Sequence, residues 1–172
     1  MINTLYVGVD VSMKDFKVRY MDDRGSEAAK RKPLDNNQPG LDSFVALILQ
    51  ICLLPSNVTR VVIGMEATSV YGWHLQMGLA SDHRLAPYEP QVYTFNPKVI
   101  ANFKKAYVDL PKDDWTDAWI IADRLRFFSL SEKQSGGFPL LTPATLDQIQ
   151  IPPCQKHHPG EKLLPGQSLP EI

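Results

Sequence analysis

The sequence predicts an α/β protein in which helices flank a mixed five-stranded sheet. Three observations support this fold class. Short apolar runs of strand length open the chain, segments with apolar residues at helical spacing follow them, and strands and helices then alternate. A meander of strands followed by such alternation is typical of a sheet that combines antiparallel and parallel pairs. The sequence contains no internal repeat.

Five segments of the sequence have strand character. Residues 5–11 are an apolar run that contains one carboxylate, and residues 16–21 alternate apolar and polar side chains. An Asp-Asp-Arg-Gly turn leads to a third strand, expected near residues 27–32 despite their poor strand propensity. Residues 60–65 are rich in β-branched side chains, which predicts a strand buried on both faces, and residues 91–95 are the fifth strand.

Four segments have helical character. Apolar residues recur at helical spacing in residues 41–53, and the breakers Asn-Gln-Pro-Gly stand just before them. Residues 71–80 and 97–106 are also expected to be helices, the latter with a proline in its first turn. Residues 115–128 have the clearest amphipathic pattern, which predicts the last helix of the domain.

The composition fits one globular domain with a tail. The chain has 172 residues, of which 44% are hydrophobic and 22% charged, enough apolar material for a core. A net charge of -1 gives no sign of a nucleic-acid partner, so such a partner has to be argued from the site. The two cysteines are far apart, which argues against a disulfide framework. No signal peptide or membrane-spanning apolar stretch is visible, so a cytoplasmic protein without a membrane partner is expected.

The composition changes after about Ser131. The last 38 residues hold seven of the fourteen prolines and show no hydrophobic period. Such a segment buries too little apolar surface to offset the entropy lost when it orders. We therefore expect a folded domain over residues 1–131 and a poorly structured tail over residues 132–172.

Four carboxylates stand at positions that favour a shared site. Asp10 lies within an apolar strand, where a charge is costly unless a partner or a metal compensates it. Glu66 follows the run of residues 60–65, and α/β sheets bind ligands at the carboxyl ends of such strands. Asp114 and Asp117 are three residues apart near the start of the last helix, so they share one face.

Acids that converge on one point repel each other, and a divalent cation would resolve that repulsion. Oxygen ligands without His or Cys suit Mg²⁺ or Mn²⁺. Two such ions about 4 Å apart can activate an attacking hydroxyl and stabilise the leaving oxygen at a phosphate. A plainer interpretation stays open, because acids at the start of a helix, here Asp113, Asp114 and Asp117, commonly serve the helix dipole or a cap. Glu66 can likewise be an ordinary loop acid.

Basic residues near these acids are weaker signals. Lys112 precedes the acidic helix start and could hold a phosphate or neutralise the acids. Two basic clusters, residues 30–32 and the set Lys98, Lys104 and Lys105, could contact phosphates. A solvated face is the more common role of such clusters.

Four motifs in order, GVDVSMKDF, GMEATSVYGW, NPKVIANF and KDDWTDAWIIA, resemble the N-terminal domain of DEDD insertion-sequence transposases. These are RuvC-like enzymes associated with bridge-RNA-guided recombination. The resemblance covers about residues 4–130. It implies an RNase H-like fold and metal-dependent cleavage or transfer of DNA strands. It also implies a DNA partner and a homo-oligomer in the full-length protein, and it allows a guide RNA as a further partner.

The resemblance also assigns the metal ligands. The family's first Asp matches Asp10 and its Glu matches Glu66. Its closing pattern, Lys-Thr-Asp-x-x-Asp-Ala, matches residues 112–118, so Asp114 and Asp117 take the last two places. Asp113 stands where the family has Thr, which leaves open whether Asp113 or Asp114 is the ligand.

The resemblance stops before the end of the chain. Similar family members continue into a second domain that carries a nucleophilic serine. Codons for Tyr-His-Leu-Val read one base off give Pro-Pro-Cys-Gln, so we interpret residues 151–172 as the product of a frameshift. The second domain is then absent, and we expect the chain alone to be inactive in DNA exchange.

Two other functions stay open on the sequence. The first is a non-catalytic nucleic-acid-binding or dimerisation remnant of a transposase. The second is a sugar-kinase-like phosphotransferase, a class that also places an Asp on its first strand. Such an enzyme needs Gly/Thr-rich phosphate loops. The segments GVDVSMKD and EATSVYG lack the loop glycines, so this function ranks last.

Overall fold

A computed structural model describes residues 4–29, 32–53, 58–67, 70–108 and 110–131. The predicted tail, its frameshift origin and the end of the folded domain fall beyond the part of the chain that the structure describes. None of the described helices is long and apolar enough to cross a membrane.

The sheet has five strands in the order β3-β2-β1-β4-β5. Their bounds are Thr4–Val11 (β1), Asp15–Met21 (β2), Leu34–Asp35 (β3), Arg60–Glu66 (β4) and Gln91–Phe95 (β5). The pairs β1–β2 and β2–β3 are antiparallel, whereas β1–β4 and β4–β5 are parallel. The predicted mixed five-stranded sheet is therefore confirmed, with β1 at its centre.

Four α-helices accompany the sheet in the described part of the chain. They are Gln38–Leu53 (α1), Trp73–Ser81 (α2), Pro97–Lys104 (α3) and Asp114–Ser131 (α4). Short 3-10 turns at Val70–Gly72 and Ala86–Tyr88 precede α2 and β5. The four helices lie where the periodicity predicts them, and α1 begins three residues earlier than expected. Its proline lies in the first turn, where a missing N–H is tolerated.

The position predicted for the third strand, residues 27–32, is wrong. Among the described residues of that stretch, Glu27 makes an isolated bridge with Met21, while β3 lies at Leu34–Asp35. Leu34 pairs with Phe16 and is buried, whereas the earlier stretch is polar and has little to bury. Burial of one apolar side chain beside β2 therefore decides where the edge strand forms.

The core has two layers, one on each face of the sheet. On one face, β1, β2 and β4 pack against α1 and α2 through residues such as Val7, Phe44 and Leu75. On the other face, α4 packs against Tyr6 and Val62 through apolar residues that include Ile121. Because strand residues alternate between faces, the even-numbered residues of β1 and β4 point towards α4.

Helix α4 lies unusually close to the central strand at Gly8. A Cβ atom at Gly8 would lie 2.0 Å from the Ala118 carbonyl oxygen and 2.5 Å from the Ala122 nitrogen. Only a residue without a side chain allows this approach. Since the acidic residues Asp114 and Asp117 lie in the first turn of α4, the contact at Gly8 sets their distance from the sheet.

Candidate metal centre

Asp10 and Glu66 lie side by side near the carboxyl ends of the adjacent strands β1 and β4. Strands β1 and β4 run parallel with Val9 opposite Met65, so the next residues, Asp10 and Glu66, are neighbours. Paired strands are about 4.8 Å apart. Asp10 shares the α4 face with Gly8, and both carboxylates are only partly accessible. The prediction that Glu66 ends a strand next to the one that carries Asp10 is confirmed.

The pKa of Asp10 reports how closely the acids are grouped. Burial, the largest cause, and then the negative charges of Asp114, Asp117 and Glu66 together raise this pKa from 3.8 to about 6. Lys17, opposite Asp10 on β2, acts in the other direction. Side chains from two strands and one helix thus act on the same carboxyl group.

The pKa of Glu66 is shifted in the same direction. Burial raises it first and the charge of Asp117 second, while Lys104 on α3 opposes both. The two raised pKa values have one physical meaning: partly buried carboxylates near like charges hold their protons more tightly. The four predicted acids therefore form one electrostatic group.

Two lysines flank this group. Lys104 forms an ion pair with Oδ1 of Asp117. Lys17 lies opposite Asp10 on β2, and its ammonium forms an ion pair with Oδ2 of Asp15 at 2.8 Å. Lys17 is not among the residues that the sequence pattern indicates, and Lys104 appears there only in a basic cluster with Lys98 and Lys105. The alternation of residues 16–21 could have placed Lys17 on the face of Asp10, but only once the pairing of β1 with β2 was known.

The acids lie near one another, but their side chains do not converge on one point. Within the described ranges, no three Asp, Glu, His or Cys side chains lie close enough together to hold a metal ion as they stand. The donor set nevertheless fits Mg²⁺ or Mn²⁺, because all its atoms are carboxylate oxygens. The side chains would therefore have to move for all four to share an ion.

A cavity of about 270 Å³ opens beside Glu66. Its wall includes Trp73, Gln76 and Thr94, and the Trp73 side chain is about half exposed. An aromatic ring with an accessible face offers a surface for stacking, and the neighbouring polar side chains offer hydrogen bonds. The cavity therefore leaves room for a small ligand group next to Glu66.

The family model DEDD_Tnp_IS110, described as a transposase, matches residues 7–136. The chain belongs to this transposase family. No curated protein matches it. Among solved structures, it is similar to RuvC from T. thermophilus in complex with a Holliday junction substrate. That similarity has 12% sequence identity and a TM-score of 0.49, and it covers 75% of this chain and 96% of that chain. The mixed five-stranded sheet of this transposase domain is consistent with the RNase H-like fold that the family resemblance implies.

The structure separates the roles of Asp113 and Asp114 in the transposase domain. The Asp113 side chain accepts a hydrogen bond from the Thr116 N–H at 2.6 Å, and its carbonyl oxygen accepts one from Asp117 N–H at 3.1 Å. Asp113 is therefore the N-cap of α4, whereas Asp114 acts electrostatically on Asp10. Thr, the usual family residue at this position, is also a good N-cap. The departure from the family pattern thus preserves the cap.

This capping role can be tested by substitution. We expect Asp113→Ala to lower the free energy of unfolding by about 1 kcal/mol, because a helix N–H loses its partner. Asp113→Thr should change it by only a few tenths of that amount. Urea denaturation of the two variants measures the difference. Equal losses of unfolding free energy in both variants would show that the Asp113 side chain does not act as an N-cap.

Proposed function

We propose that this transposase domain cleaves or transfers DNA strands with Mg²⁺ or Mn²⁺ held by Asp10, Glu66, Asp114 and Asp117. The observation that supports it is the placement of Asp10 beside Glu66 on paired strands, with α4 packed against β1 at Gly8. After burial, which is the largest cause, Asp114, Asp117 and Glu66 all raise the pKa of Asp10. Acids that serve only as separate caps or loop residues are not expected to act together on the charge of one partly buried carboxylate.

Each side chain has a defined part in this proposal. Asp10 and Glu66 sit on paired central strands and supply the fixed half of the ligand set. Asp114 and Asp117 supply the other half from the first turn of α4. The bound ions would activate the attacking hydroxyl and stabilise the leaving oxygen at the scissile phosphate. Lys17 lies close enough to the acids to attract and orient a phosphate.

The transposase family makes DNA the expected substrate, and local charge supports it. The net charge of the chain is -1, so attraction of DNA has to come from particular surfaces. Helix α3 and the residue after it carry Lys98, Lys104 and Lys105, and Lys104 reaches the acids. We expect these lysines to contact the DNA backbone. A guide RNA and a homo-oligomer of the full-length protein remain proposals that rest on the family resemblance.

Two observations favour a second function, that of a non-catalytic DNA-binding or dimerisation module. Asp117 already has a cationic partner in Lys104. The acids described are also too dispersed to hold an ion as they stand. A domain that has lost catalysis could keep such an arrangement. Direct measurement of metal binding separates the two functions.

Titration calorimetry with Mn²⁺ tests the proposed metal centre. We expect the whole chain to bind Mn²⁺ weakly, because such ions normally take further oxygens from the substrate. Asp10→Ala should abolish the binding heat. Asp42→Ala is the control: Asp42 is an exposed acid on α1, on the opposite face of the sheet, paired with Arg84. Equal binding by the wild type and Asp10→Ala would exclude the site.

A further inference from the structure

Asp117 differs from the other acids of the candidate metal centre because it already binds a cation. Lys104 reaches across from the last turn of α3 and pairs with its Oδ1 atom. In the described part of the chain, Asp10, Glu66 and Asp114 have no ion pair of this kind. The two side chains are 30% and 38% exposed, so solvent screens the pair only in part.

Lys104 acts on more than one acid. Its charge also opposes the rise in the pKa of Glu66, which places the ammonium near both β4 and α4. The next residue, Lys105, carries the same charge but donates a hydrogen bond to Asn102 Oδ1 at 3.0 Å instead. The chain therefore contains two neighbouring lysines of which one engages the acids.

An ammonium at this position has two opposite effects. It lowers the repulsion among four carboxylates and so stabilises the fold when no metal is present. It also competes with a divalent cation, because it occupies an oxygen of Asp117 and repels a second positive charge. The same contact is compatible with a set of acids that is grouped but not assembled for metal binding.

We propose that Lys104 is a positioning residue that serves as the built-in counter-ion of the metal centre and is displaced from Asp117 when a divalent ion binds. This inference rests on the proposed function, since it assumes that the four acids take a metal. Lys104 stays protonated throughout, and the step exchanges one cation for another at Asp117 Oδ1. The released ammonium remains beside the site.

The first measurement uses the metal-free protein. In a buffer of low ionic strength that contains a chelator, we expect Lys104→Met to lower the melting temperature of the whole chain by about 2–4 °C. Lys105→Met, the matched control, should stay within about 1 °C of the wild type. In an Asp117→Asn background, Lys104→Met should cause much less loss, because the partner charge is already gone. Equal losses in both backgrounds would overturn the counter-ion role.

The second measurement is Mn²⁺ affinity by calorimetry. We expect Lys104→Met to bind Mn²⁺ roughly three- to tenfold more tightly than the wild type, because no ammonium has to leave. Lys105→Met should bind like the wild type. A lysine that merely packs against α4 would weaken or not change the affinity, so the direction of the change is decisive. Lys104→Gln replaces Lys104→Met if the latter does not fold.

The outcomes distinguish this inference from the proposed function. If the wild type binds Mn²⁺ and Lys104→Met binds it no more tightly, the displacement of Lys104 is wrong and the metal centre stands. If neither the wild type nor Lys104→Met binds Mn²⁺, the proposed metal centre is wrong, and the proposed displacement of Lys104 is wrong as well. If only Lys104→Met binds, both are supported, with Lys104 blocking the site.

Discussion

Gly8→Ala is expected to lower the free energy of unfolding by about 3 kcal/mol or more, the largest effect of any substitution considered for this transposase domain. The added methyl group would lie 2.0 Å from the backbone oxygen of Ala118. A backbone atom cannot rotate out of the way, so α4 and β1 would have to separate. The apolar contacts between α4 and the sheet would then be lost in part.

Gly72→Ala is the matched control for this substitution. A Cβ atom at Gly72 would meet the Met65 sulfur at 3.5 Å, which is an ordinary contact, and the backbone there suits any residue. Urea denaturation of both variants measures the difference. Gly8→Ala should also weaken Mn²⁺ binding, because a displaced α4 carries Asp114 and Asp117 away from Asp10. A loss no larger than that of Gly72→Ala would show that α4 can move without cost.

Asp10→Asn is expected to stabilise the metal-free fold while it removes metal binding. Near pH 8 the gain should be roughly 1–2 kcal/mol, a figure already reduced for the partial exposure of the side chain. The reason is that a charged Asp10 is half-buried and faces Asp114 and Asp117 from α4 and Glu66 from β4, with Lys17 on β2 as partial compensation. The wild type alone should gain stability when Mn²⁺ is added.

The pH dependence of this gain follows from the pKa of Asp10. That pKa is raised from 3.8 to about 6 in the folded state, so protonation favours folding. The stabilising effect of the proton is complete below about pH 4 and is lost as the pH rises through 6. The advantage of Asp10→Asn over the wild type should therefore be largest above pH 7 and vanish near pH 4.

Asp82 provides a control of opposite sign. Its hydrogen bonds with Arg84 hold its pKa below the usual value, so the charged form favours folding. Asp82→Asn should be less stable than the wild type at neutral pH, and the difference should shrink in acid as the pH falls through the lowered pKa. If the advantage of Asp10→Asn persisted at pH 4, repulsion among the acids would not be its cause.

The sequence by itself determined the strong elements and pointed to the acids of the candidate metal centre. Long apolar runs and helical periodicity are local signals, because burial repeats every two residues in a strand and about every 3.6 in a helix. They predicted four of the five strands and the four helices. The acids Asp10 and Glu66 were found because each interrupts or ends an apolar run, and the family motifs added Asp114 and Asp117.

Only the tertiary structure decided how these parts meet. The two-residue strand β3 has no period of its own and forms where Leu34 can be buried beside Phe16. The cap formed by Asp113 depends on where α4 begins, and the importance of Gly8 depends on how near α4 comes. Lys104 is separated from Asp117 by thirteen residues, and its pairing depends on how α3 packs against α4. Contacts between distant residues leave no periodic trace in the sequence, because packing creates them only when the chain folds.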